Sequence, residues 1–112
     1  MTNVTLSLDL KNADSVREDA YKMLKDSNWR KLESVDTVWV TRYPTQCFSD
    51  PSGVRIMVDD ISSLLKNCAK TLKIERINYI AQIGNRDVIE RQIVRTPVGY
   101  QDQGYVKPEQ GR

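Results

Sequence analysis

The chain contains no histidine. Without an imidazole there is no Ser-His-Asp or Cys-His nucleophilic pair, no His-ligated zinc and no histidine general base. Any catalysis must therefore use carboxylates, lysine, tyrosine, cysteine or a metal held by oxygen ligands. Cysteine is scarce as well: Cys47 and Cys68 are the only two among 112 residues. Two are too few for a disulfide scaffold, and their spacing is not that of a metal site. A reduced, intracellular pair is the expectation. No apolar run approaches the roughly 20 residues that span a bilayer. The opening Met-Thr-Asn-Val-Thr has no basic segment leading into an apolar stretch, so no secretory signal is expected. These readings predict a cytoplasmic protein without a membrane partner. Neither sign of charge dominates, with 17 Lys and Arg against 15 Asp and Glu. A net charge of +2 makes no global field for polyanions, although it leaves room for a local basic face.

What is present fits one globular domain with one modest core: 39% hydrophobic and 29% charged residues. The segment Val4-Thr5-Leu6-Ser7-Leu8-Asp9-Leu10 alternates apolar and polar residues, the signature of a strand with one buried face. Its leucines share one face, and Thr5, Ser7 and Asp9 share the other. Ser15-Val16-Arg17-Glu18 has the Ser-x-x-Glu form of a capping box. Behind it, Val16, Ala20, Met23 and Leu24 recur at helical spacing, which predicts a helix over 15–27. Residues 29–34 read as a weak strand that turns near Val35-Asp36 into a strong one, Thr37 to Tyr43. Pro44 to Gly53 is rich in turn formers and reads as a loop. Val54 to Val58 suits either a strand extension or the approach to a helix. Asp59 or Asp60 can cap a second helix, along which Ile61, Leu64, Leu65, Cys68 and Leu72 form an apolar stripe. Ile74 to Ile83 alternates again, and Val88 to Val94 reads as a fifth strand at an edge or between subunits. From Thr96 onward the glycines and prolines interrupt any apolar period, which predicts a flexible tail over 96–112 after a single domain at 1–95.

The predicted order is β-α-β-β-α-β with one additional C-terminal strand: an α+β, ferredoxin-like fold. Two amphipathic helices would cover one sheet face, and Thr5, Ser7 and Asp9 would line the other. The end of the first strand at Leu8-Asp9-Leu10, Arg17 early in the first helix, Leu24-Lys25 at its end, and Ser34 to Val40 with Trp39 resemble a superfamily of small nucleases. It includes the smaller CRISPR adaptation protein, VapD-type ribonucleases and GhoS-type endoribonuclease antitoxins. The resemblance spans roughly residues 4–83. It implies an aspartate at the end of strand one, and sheet-to-sheet homodimers in which two such aspartates approach. The sequence departs from that pattern at Leu8, where a tyrosine is common, and in the length of the loop from Pro44 to Gly53.

Two readings of Asp9 follow. In one it is a solvated strand-end carboxylate. In the other it is the catalytic metal ligand of an endonuclease acting on RNA or DNA. Magnesium would polarise a phosphoryl oxygen, Ser7 would lie in the outer sphere, and Arg17 or Arg42 would contact phosphate. Arg30, Lys31, Arg42 and Arg55, interleaved with Trp29, Trp39 and Tyr43, also form a mix able to hold phosphates and stack bases. Core packing of Trp39 and ordinary solvation of the basic residues stand against it. A different class of function rests on Ile89 to Arg95: a late strand with an open edge suits a non-catalytic, homodimeric interaction or inhibitor module with a protein partner.

Overall fold

The computed structural model describes residues 2–11, 13–34, 37–43 and 51–104. Alternation in the first segment produces β1 (Thr2–Lys11), in which Val4, Leu6, Leu8 and Leu10 are buried and Asn3, Thr5 and Asp9 are exposed. A short 3₁₀ turn at Asp14–Val16 leads into α1 (Arg17–Asp26). The expected capping box does not form: no side chain caps either turn, and Asp14 instead pairs with Arg17 at 3.1 Å. The weak strand contracts to β2 (Arg30–Lys31), whereas the β-branched and aromatic run forms β3 (Val38–Tyr43) as expected. The proposed turn at Val35-Asp36 lies outside the described residues, as does Pro44 to Asp50.

The second helix differs most from its expectation. α2 (Pro51–Leu72) begins at a proline and absorbs Val54 to Val58, so Asp59 and Asp60 lie within it rather than at its cap. Proline suits a first helical position, where its missing N–H has no intrahelical partner to lose. Gly53, Met57, Ile61, Leu65, Cys68 and Ala69 then recur on one buried stripe. Cys68 is a buried free thiol, and burial pushes its pKa up to about 11.

Both helices stop with a residue in the left-handed region, Asn28 at φ 72° and Lys73 at φ 57°. The N–H groups of Trp29 and Ile74 reach back to the carbonyls of Leu24 and Ala69 at 3.0 and 2.9 Å. That bond satisfies an orphan carbonyl and turns a buried hydrophobe into the core behind each helix.

Three more strands complete the sheet: β4 (Arg76–Ile83), β5 (Ile89–Thr96) and β6 (Gly99–Gly104). The result is an α+β fold with one six-stranded antiparallel sheet in the order β2-β3-β1-β4-β5-β6. Two strands, not one, follow the expected core. β5 lies between β4 and β6 and is therefore not the edge. Residues 99–104, expected in a flexible tail, form that edge, and 105–112 lie outside the described residues. The hairpin closes through Pro97-Val98, and Gly99 adopts φ 117°, a conformation close to glycine-only. Both helices pack on the face carrying Leu6, Leu8, Ile77, Tyr79 and Ile93, and among the described residues no helix lies on the opposite face. No helix among the described residues is long and apolar enough to cross a membrane.

Candidate nucleic-acid interface on the open sheet face

Strand register determines what surrounds Asp9. Its Cα partner on β4 is Asn78, Asn78 pairs with Gln92 on β5, and Gln92 with Gln103 on β6. One polar row thus crosses the helix-free face. Ser7, Ile80 and Glu90 form the adjacent row on one side, and Lys11, Arg76, Val94 and Gln101 the adjacent row on the other. Ser7, Asp9, Asn78, Ile80 and Glu90 line a depression of about 210 Å³, together with Tyr79 and Arg91, the latter paired with Asp102. Asp9 is exposed, and its carboxylate has no hydrogen-bond or ion-pair partner among the described residues. The side-chain oxygens of Asn78 and Gln92 are buried without a donor. Unpaired buried acceptors are costly, about 1–3 kcal/mol each, so these two mark the row as polar beyond what the fold requires.

The predicted phosphate-binding residues separate into two groups. Arg30 is opposite Val40, which pairs with Thr5, and Arg42 is opposite Asn3. Both therefore share the face of Asp9. They are exposed, line one groove of about 690 Å³ with Asn3, Asn28, Leu32 and Val40, and have no ion pair among the described residues. Arg17 and Lys31 do not join them. Arg17 is on α1, held by Tyr21 and by Asp14, and both raise its pKa. Lys31 is opposite Trp39, on the helix side of the sheet. Arg55 sits on α2 and pairs with Asp59 at 3.6 Å.

No protein-family model, curated protein or solved structure matches this chain. The reading of its surface thus stands on its own geometry.

Of the two readings of the aromatic residues, core packing is the one observed, as the strand pattern of Trp39 favours. Trp29 and Trp39 are 6% and 0% exposed, and Trp39 packs edge-on against Tyr21 with ring centroids 5.2 Å apart. Tyr43 packs against the core and donates to Asp60 at 3.5 Å; burial first and that carboxylate second push its pKa up to about 12. None of the three is a base-stacking platform on the open face.

Sequence reasoning also missed residues. Lys11 and Arg76 are opposite one another, one same-face step from Asp9, and neither has an ion-pair partner among the described residues. Glu90 and Asn78 reach the same depression from other strands. Only cross-strand register brings these together, although the alternation of each strand already assigns their faces.

Proposed function

We propose that this protein is a ferredoxin-like, magnesium-dependent endonuclease whose open sheet face receives nucleic acid. The observation that carries the proposal is that Asp9, Lys11, Arg76, Arg30 and Arg42 share the one face that the helices leave bare. The order β2-β3-β1-β4, with α1 after β1 and α2 between β3 and β4, supports the fold reading; the β5–β6 hairpin extends it.

The residues around Asp9 fit a hard cation. Its carboxylate, the unpartnered Asn78 Oδ1, the Ser7 hydroxyl and the Glu90 carboxylate are all oxygen donors lining or bordering one depression. Magnesium keeps several waters and needs few carboxylates; among the described residues no group of three His, Cys, Asp or Glu gathers. Asp9 and Asn78 would hold the ion. When bound, it polarises a phosphoryl oxygen and lowers the pKa of a bound water. Lys11 and Arg76 draw the scissile phosphate toward Asp9, and their fixed charges stabilise the transition state. Two copies meeting through the Asp9 end of the face would add a second carboxylate.

The test is incubation of wild type and Asp9→Ala with single-stranded RNA and DNA, with and without magnesium. Magnesium-dependent cleavage that falls at least a hundredfold in Asp9→Ala is the expected result. Equal activity in both proteins, or none in either, rejects the enzyme. A second reading, a non-catalytic interaction module, rests on β6 at the sheet edge, which contains neither Lys nor Pro as a guard. It requires that binding survive Asp9→Ala with no cleavage by wild type.

A further inference from the structure

From the Arg30 and Arg42 groove we infer a phosphate-backbone anchor that is separate from the Asp9 depression and blind to base identity. The inference rests on the nucleic-acid reading above and narrows it. Three observations support it. First, the groove is cationic. Among the described residues Arg30 and Arg42 are its only charged lining; the others are Asn3, Asn28, Leu32, Val40 and Thr41. Asp60, which lines the neighbouring cleft with Arg42, accepts a hydrogen bond from Tyr43. A guanidinium presents several N–H donors in a planar fork that matches phosphate, and carboxamides such as Asn3 add neutral donors.

Second, the two arginines are spaced for one polyanion rather than one small anion. Arg30 is opposite Val40, and Arg42 is two residues farther along the same strand. Diagonal neighbours of this kind are about 7–8 Å apart at the backbone. Both side chains are exposed and long, so each can engage its own phosphate.

Third, the described part of the groove offers nothing to stack on. Among the described residues, no aromatic side chain lines it. Trp29 and Trp39 are buried, and Tyr21, Tyr43 and Tyr100 pack against the core. Sequence-tolerant binding of single strands usually combines a basic groove with aromatic platforms worth about 1–3 kcal/mol per base. Among the described residues only the first half of that combination is found, so affinity comes from phosphates and falls with salt.

The experiment compares two fluorescent 20-nucleotide strands, one with bases and one abasic, by anisotropy over a salt series. The proteins are wild type, Arg30→Gln and Arg42→Gln; both positions are exposed, and circular dichroism verifies their folding. The strands should bind within about threefold of one another. Each substitution should lower the slope of log affinity against log salt by about 0.7, the value for one phosphate of a single strand. Abasic binding that is tenfold weaker, or slopes unchanged by both substitutions, overturns the inference while leaving the nucleic-acid reading standing. Failure of wild type to bind either strand overturns both.

Discussion

Asp102 shows how one residue can fasten an element that its own sequence would not predict. Its side chain is 8% exposed, and it accepts from Arg91 Nε at 2.8 Å and from the Tyr79 hydroxyl at 2.7 Å. Arg91 also donates to the Asp102 carbonyl at 3.3 Å. Burial first, then the Asp102 bond, drives the Tyr79 pKa well above that of an ordinary tyrosine. The three residues come from β6, β5 and β4, so the cluster ties the C-terminal hairpin to the sheet. Asp102→Ala leaves the Tyr79 hydroxyl and Arg91 Nε without their carboxylate acceptor, and a desolvated donor such as the Tyr79 hydroxyl costs about 1–3 kcal/mol. Urea unfolding should show a loss of about 2–3 kcal/mol, whereas Asp9→Ala, at an exposed position, should remain within about 0.5 kcal/mol of wild type. Equal midpoints for Asp102→Ala and wild type would remove this cluster as the clasp.

At the scale of elements, periodicity was legible and boundaries were not. The alternation of Val4 to Leu10 and the helical stripe from Ile61 to Leu72 each place their buried side chains on the face observed. The start of α2 was missed because turn-forming composition outweighed Pro51 at the first helical position and the four-residue spacing of Met57, Ile61 and Leu65. β6 was missed for a different reason. Gly99-Tyr100-Gln101-Asp102-Gln103-Gly104 has no apolar alternation, and beside Tyr100 its inward anchor is a charge whose partners are on other strands. The end of α2 provides a test of how helix termination is paid for. Lys73 holds φ 57°, a region in which a Cβ costs about 1–2 kcal/mol and glycine does not. Glycine's own entropy cost offsets part of this, so Lys73→Gly should stabilise by about 0.5–1 kcal/mol. A thermal midpoint raised by about 2–6 °C would accord with that sum. A lower midpoint would show that the Lys73 side chain contributes more than its backbone conformation costs.

At the scale of the molecule, the two polar regions of the open face are far apart. Arg42 is opposite Asn3, and Asp9 is six residues farther along β1. At about 3.3 Å per residue the separation is about 20 Å. A strand stacked as in a duplex rises 3.4 Å per nucleotide, so a substrate needs about six steps, or about seven nucleotides, to reach from anchor to carboxylate. Magnesium-dependent cleavage of stacked strands should therefore weaken about tenfold or more below about seven nucleotides. Arg42→Gln should flatten that length dependence. A rate independent of length from four nucleotides upward would separate the groove from the reaction.

Asp9 illustrates how the candidate site divides between what was readable and what was not. Alternation within one strand suffices to put Asp9 on a face with Thr5 and Ser7, opposite the leucines, because it is a property of a single strand. The apolar spacing of its own helix likewise buries Cys68. That Asn78, Glu90, Lys11 and Arg76 occupy the same or adjacent rows of that face, while Arg17 and Lys31 do not, comes from the folded sheet. The fold also places both tryptophans in the core. Neighbourhood across a sheet depends on strand order and register, which are set by pairings between residues as distant in the chain as Asp9 and Asn78. Local periodicity assigns each side chain to a face, and non-local pairing determines which chemistry meets there.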